Sequence, residues 1–285
     1  MKWRTSRRST NVDDLRGRST SRRRGGMKIG GLGIIILFVV GIIFGQDPMQ
    51  LLSLVTGSGG STPPQHETHQ SPANDEASQF VSAMLASTED VWKKQLPNQA
   101  GINYRVPRLT LFIGSVSSAC GMASAASGPF YCPADKRVYI DLAFFNELKR
   151  MGASGDFAQA YVLGHEIGHH VQNLIGTSGQ IEQMQRRASE RESNQLSVLL
   201  ELQADCYAGV WAHHSEKTKH WLEDGDLEEG IRAAAAIGDD QLQRNAGRRV
   251  NPDAFTHGTS KQRRYWLTTG LKYGDMKKCN TFAGL

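Results

Sequence analysis

Residues 161–173 read YVLGHEIGHHVQN, and His165 and His169 within them constrain the fold more than any other feature. On an α-helix, residues four apart stand one above the other on the same face. Two neutral imidazoles there can take two corners of a tetrahedral Zn²⁺ site. Glu166 projects beside them, able to accept a proton from a water that the metal activates. Tyr161, Val162, Leu163 and Ile167 occupy the other faces. That makes this a buried helix, where a surface helix with incidental histidines would turn polar side chains to those faces.

A catalytic zinc needs a third protein ligand and an open position. The longer pattern H-E-x-x-H-x-x-G-x-x-H fails, because Gln172 and Ile175 stand in the places of its glycine and third histidine. His170 points about 100° away from His169 around the helix. The stronger candidate is Glu201, in LLELQADCYAGVWAHH, with Asp205 one turn along the same face. A carboxylate so placed can orient a ligand histidine. A solvated acidic face is the alternative for this pair, but Leu199, Leu200, Leu202, Cys206, Tyr207, Val210 and Trp211 surround it. Ala204, Ala208 and Gly209 are small enough to let this helix approach the first. His213 and His214 are fallback ligands.

The rest of the globular part, residues 79–285, reads as a mostly helical α+β domain with a small sheet. Phe80, Val81, Met84, Leu85, Val91 and Trp92 recur at helical spacing, and Pro97 is expected to end that helix. Segments 108–116 and 137–140 are β-rich. Helices are expected over 144–151, 156–175 with Gly176 as stop, 189–214 and 259–271. Asp226 and Glu229 resemble a capping pair opening LEEGIRAAAAIGDDQLQ as one helix.

Taken together, HEIGHH and ELQADCYAG look like the gluzincin arrangement, and ELQAD is similar to the E-x-x-A-D of the HtpX and CAAX-prenyl endopeptidases. CGMASAASGPFYCPADKRVYIDLAFF, the HEIGHH helix, ELQADCYAGVWA and FTHGTSKQRRYW together resemble the bacterial neutral zinc metallopeptidases of the YpfJ type. The resemblance covers most of the chain and implies a zincin-like fold and a peptidase activity. Carried over position by position, it implies His165, His169 and Glu201 as zinc ligands, Glu166 as general base and Asp205 as the residue behind a ligand. His257 matches a histidine thought to stabilise the tetrahedral intermediate, with Arg263 or Arg264 in support. A neighbour of the helix cap at Thr259 is an equal reading of His257. In a zincin-like architecture, the strand ending at Ile140 would be the sheet edge that receives an extended peptide, with 108–116 as its competitor.

Composition enters through its asymmetry. The net charge of +5 divides into +8 on residues 1–28, which hold ten Lys or Arg and two acids, and −3 on the remainder. A nucleic-acid binder would carry its positive charge on the folded domain, so no nucleic-acid partner is expected. Residues 29–45, IGGLGIIILFVVGIIFG, form seventeen uncharged residues. As a helix they would extend about 26 Å, close to the hydrocarbon thickness of about 30 Å. The expectation is a basic cytoplasmic arm (1–28), a transmembrane helix (29–46), a flexible linker (47–78) and an exported metallopeptidase domain (79–285). His66 and His69 in the linker read as solvated. Cys120 and Cys132 could close a loop by a disulfide in that compartment, and Cys206 could pair with Cys279 or stand buried alone. The leading function is a membrane-anchored zinc endopeptidase acting on protein or peptide substrates outside the cytoplasmic membrane. The alternative is a zinc-containing cell-envelope binding protein without catalysis. Oligomeric state stays open.

Overall fold

The fold comes from a computed structural model, which describes residues 1–16, 75–124 and 128–283. Helix α1 (Glu76–Ala100) opens where Asp75 accepts the Ser78 amide, three residues inside the expected linker. It continues past Pro97 for one more turn. The proline costs only its own backbone donor there, and Gly101, with φ of 69°, closes the helix by donating to the Pro97 carbonyl. The expected 108–116 strand breaks at Gly114, where φ is +76°. It yields β2 (Arg108–Phe112) and the first strand of a hairpin, β3 (Ser115–Ser118) with β4 (Gly121–Ser124). Two further strands, β5 (Phe130–Cys132) and β6 (Arg137–Asp141), join β2 in the main sheet.

The edge of that sheet is the largest correction to the sequence-based organisation. The strand order is β1-β2-β6-β5, where β1 is Val12–Asp14 from the basic N-terminal segment. It runs parallel to β2, with Val12 opposite Leu109 and Asp14 opposite Leu111. Trp3 is 3% exposed, packs edge-on against Phe80 and donates to Asp156 at 3.1 Å. Arg7, Ser9 and Asn11 all bind the buried Glu89 carboxylate, while Asp13 pairs with Arg108 and Arg137. Residues 1–16 are therefore part of the folded domain and not a separate arm. A basic segment reads as solvated by composition; here Glu89, Asp90, Asp14 and Asp75 neutralise its arginines locally. The apolar run and the rest of the linker, His66 and His69 included, lie outside the described residues. Among the described residues, no helix is long and apolar enough to cross a membrane.

The helical layer consists of α2 (Ala143–Arg150), α3 (Asp156–Leu174), α4 (Thr177–Gln185), α5 (Glu190–Lys219), α6 (Asp226–Ala236), α7 (Asp239–Asn245) and α8 (Ser260–Tyr273). Capping boxes at Ser189 with Glu192 and at Thr259 with Gln262 start α5 and α8. The expected single helix after residue 226 is two, broken at Ile237-Gly238. Its proposed capping pair does not form: Asp226 accepts the Glu223 amide, and Glu229 reaches across to the Phe157 amide at the start of α3.

Helix α5 lies between α3 and α8 and is the spine of the domain. A Cβ on Gly168 would sit 2.8 Å from the Ala204 carbonyl oxygen, so the bare glycine permits the α3–α5 crossing. Gly209, expected on that crossing, turns instead to α8, where it faces Leu267 and Gly270. The main core lies beneath the sheet and these helices, with Trp92, Trp211, Leu109, Leu111 and Ile140 fully buried. Disulfides join Cys120 to Cys132 and Cys206 to Cys279, tying the hairpin to β5 and α5 to the C-terminal turn.

Candidate metal centre

His165 and His169 stand on successive turns of α3, and Glu201 faces them from α5, with ligand atoms of all three within 4.8 Å of one another. His165 Nε2 lies 3.0 Å from a Glu201 oxygen and 3.1 Å from His169 Nε2, and His169 Nε2 lies 3.4 Å from the other Glu201 oxygen. Tetrahedral ligands about 2.0–2.1 Å from zinc stand roughly 3.3 Å from one another. Donor types and spacing both fit Zn²⁺, with one corner left for a non-protein ligand.

Each ring is aimed by its second nitrogen. His165 Nδ1 donates to Asp205 at 2.8 Å, and His169 Nδ1 donates to the Gln172 side-chain oxygen at 2.9 Å. Those acceptors place the ring N–H on Nδ1 and leave both Nε2 lone pairs for a metal. Gln172 is itself fixed, donating to the Leu200 carbonyl at 2.7 Å and to Gln203 at 3.1 Å.

Asp205 is fully buried and would be costly unpaired. It accepts from Tyr161 at 2.6 Å, from His165, and twice from Arg263 at 2.9 Å. Burial alone would raise its pKa, but Arg263 and His165 outweigh that and hold it down at about 2. The same carboxylate carries the Arg263 guanidinium, which is 2% exposed. Burial disfavours charge on His165, yet Asp205 and Glu201 prevail and lift it to about 10 in the metal-free site. Glu201 goes the other way: burial is overcome by His169 and His165, and it stays ionised well below the usual carboxylate range.

Glu166, 7% exposed, sits next to these ligands on α3. Burial raises its pKa against the pull of His165 and His169, with the Tyr131 backbone on β5 near enough to favour the ionised form. A buried carboxylate with a raised pKa is suited to taking up and returning a proton. His257 approaches from the loop before α8. Its Nδ1 donates to one Asp239 oxygen at 3.1 Å, while the backbone amides of Thr256, His257 and Gly258 donate to the other. Burial disfavours charge on His257, but Asp239 and Glu201 raise its pKa.

All six residues singled out from the sequence thus meet in one region, while the other described histidines go elsewhere. His170 binds Tyr131 and the Arg105 carbonyl, His213 the Leu271 carbonyl and His214 the Gly274 carbonyl. Arg263 serves Asp205, not His257, and Arg264 is exposed. Sequence reading missed Gln172, Tyr161 and Asp239. The first two carried a signal, since they lie three residues after His169 and four before His165, on the ligand face of α3. Asp239 carried none, because its partner is eighteen residues away across a loop.

Comparison with known proteins agrees with this geometry. A family model described as "Putative neutral zinc metallopeptidase" matches residues 1–282. The protein YpfJ of Escherichia coli (strain K12) is 47% identical over 287 residues, 99% of each chain. Rv2575 of Mycobacterium tuberculosis (strain ATCC 25618 / H37Rv) and Mb2605 of Mycobacterium bovis (strain ATCC BAA-935 / AF2122/97) are each 39% identical over 258 residues, 85% of each chain. No solved structure matches. Zinc is the metal of the matched family, and a three-ligand site of the right chemistry lies inside the matched residues; the chain belongs to the neutral zinc metallopeptidase family.

Proposed function

We propose that the protein is a zinc-dependent endopeptidase, with His165, His169 and Glu201 as ligands. The observation that carries this reading is a buried, uncoordinated Glu166 beside a three-ligand group, an arrangement that a purely structural zinc does not need. Zinc, when bound, would lower the pKa of water to about 7 and polarise the scissile carbonyl. Glu166 then takes the proton of the attacking water and delivers it to the leaving amine. His257, its ring fixed by Asp239, donates toward the developing oxyanion. Asp205, backed by Arg263 and Tyr161, keeps His165 in its ligating orientation.

Of the strands expected to receive the substrate, the one ending at Ile140 (β6) and the 108–112 part of the other (β2) are interior to the main sheet, and the remainder of 108–116 enters the separate β3–β4 hairpin. The edge beside Glu166 is β5, and an extended peptide adding there would lie against the site. Replacing Glu166 by Gln should retain one zinc per chain and abolish cleavage of a casein-type substrate. Undiminished turnover by that variant would sink the reading.

We further propose membrane attachment and an exported domain. Support for the first is the uncharged run 29–45, and for the second the two disulfides, which persist in oxidising compartments. In this proposal residues 1–16 and the domain, which share one sheet, lie on the same side of the bilayer, so the run 29–45 is proposed as an attachment and not as a single crossing. Protease added to protoplasted cells should release peptides of residues 1–16 and of the domain together. Protection of the former alone would overturn this placement.

A further inference from the structure

Helix α3 carries two parallel stripes. His165, His169 and Gln172 form the one that faces the metal centre, and Glu166, His170 and Asn173 repeat the same spacing one residue along, on the adjacent face. Of this second set only Glu166 has a part in the proposed chemistry, although His170 is 1% exposed and both its ring nitrogens are bonded. Its Nε2 lies 2.6 Å from the Arg105 carbonyl and its Nδ1 lies 3.0 Å from the Tyr131 hydroxyl. That hydroxyl also accepts from the Asn173 side-chain amide at 3.0 Å. The rings of Tyr104 and Tyr131 close edge-on around the imidazole.

These bonds run in one direction. A carbonyl can only accept, so the His170 proton sits on Nε2 and Nδ1 offers a lone pair. Asn173 donates to the Tyr131 oxygen, which leaves the Tyr131 O–H to donate to Nδ1. The position of Tyr131 gives the relay its consequence. Strand β5 is three residues long and pairs with β6 alone. Side chains alternate along a strand, so Phe130 and Cys132 share the far face, where Phe130 stacks on Tyr139 and Cys132 is tied to Cys120. Tyr131 is the one β5 side chain turned toward α3, and its backbone lies beside Glu166.

We propose that Tyr131 and His170 are positioning residues: their bond docks β5 on α3 and so holds the edge that receives an extended substrate level with Glu166. The proposal rests on the endopeptidase reading above, with the substrate added to β5. An edge held in advance leaves nothing for the substrate to order, whereas a released edge is ordered at the expense of binding. One neutral hydrogen bond is worth a factor of about five. That factor belongs to KM, because once the substrate is bound the edge is in place and kcat changes little.

Fluorescein-labelled casein, a flexible chain that offers extended segments, tests it on the full-length zinc-loaded protein. Tyr131→Phe keeps the ring and removes the hydroxyl. Asn173→Ala removes the donor that orients that hydroxyl, and it carries the test if the first variant does not fold. Each should raise KM about fivefold while kcat stays within about twofold and zinc stays at one per chain. In a Glu166→Gln background, each should weaken casein binding, read by anisotropy, by the same factor. A role confined to structure would instead lower the zinc-loaded fraction, and kcat with it, at constant KM. That result overturns the proposal, as does an unchanged KM in both variants or a Glu166→Gln protein that binds no casein. If Tyr131→Phe weakens casein binding but the wild type cleaves none, the docking of β5 stands and the endopeptidase reading falls.

Discussion

At the residue scale, the site depends on groups that never touch a metal. Asp205 binds four donors at once, and each would lose an acceptor with no water to replace it. Asp205→Asn removes the charge that balances the buried Arg263, and leaving one member of such a pair alone typically costs about 3–5 kcal/mol. We expect a lower melting temperature and a zinc Kd about 10–100-fold weaker, as is usual for partners behind ligand histidines. Gln172→Ala should weaken zinc by about tenfold with little loss of stability, because it frees one ring nitrogen without stranding a charge. Both effects are read by competition with a chelator and by thermal unfolding. Asp205→Asn that binds zinc like the wild type would refute the orienting role.

At the element scale, the ligand geometry is a helix-crossing geometry. His165 and His169 are fixed relative to each other by α3 alone, but Glu201 reaches them only because α5 passes close at Gly168 and Ala204. Gly168→Ala would force a methyl against backbone, which cannot rotate away, and overpacking of this kind costs about 1–3 kcal/mol. The expected outcome is a folded protein with reduced zinc affinity. The reverse result, a normal affinity with normal melting, would show that the crossing tolerates separation. The N-terminal strand supplies a pH test of a different element. Asp13 has its pKa lowered by Arg108 and Arg137, and Glu89 resists burial through Ser9, Asn11 and Arg7, so both are depressed in the fold. Depressed carboxylates stabilise above their unfolded pKa near 4 and lose that contribution progressively as pH falls from there toward their lower folded pKa. The protection factors of the Val12–Asp14 amides, corrected for the pH dependence of intrinsic exchange, should fall on going from pH 6 to pH 3 before those of the core helices. Equal protection at both pH values would contradict the role of these pairs.

At the scale of the whole molecule, the domain is closed by its two ends. Residues 1–16 complete the sheet edge and cover α1, and Cys279 ties the C-terminal turn to α5 behind the site. Glu201 is thus carried on a helix clamped from both sides, by α3 and by α8, and the loop that carries His257 is held by Asp239. Position along the chain is a poor guide to this closure. The segment 1–28 reads as an arm because its arginines outnumber its acids locally, whereas, Asp14 apart, the acids that pair with them lie on α1 and at Asp75.

Much of the centre is local and was legible as such. The shared face of His165 and His169 and that of Glu201 and Asp205 follow from helical spacing, since residues four apart must share a face whatever the rest of the chain does; that the two faces meet was implied only by the family resemblance. The capping signals of α5 and α8 are equally local. Tertiary structure alone decided which charges meet. Arg263 pairs with Asp205 and not His257, Asp239 holds His257 across a loop, the sheet edge at the site is β5, and the N-terminal segment is a strand. Ion pairs and parallel strand contacts join residues distant in sequence, and neither periodicity nor composition carries information about them. The chain by itself specified what could bind a metal; packing specified how that metal is held and what can reach it.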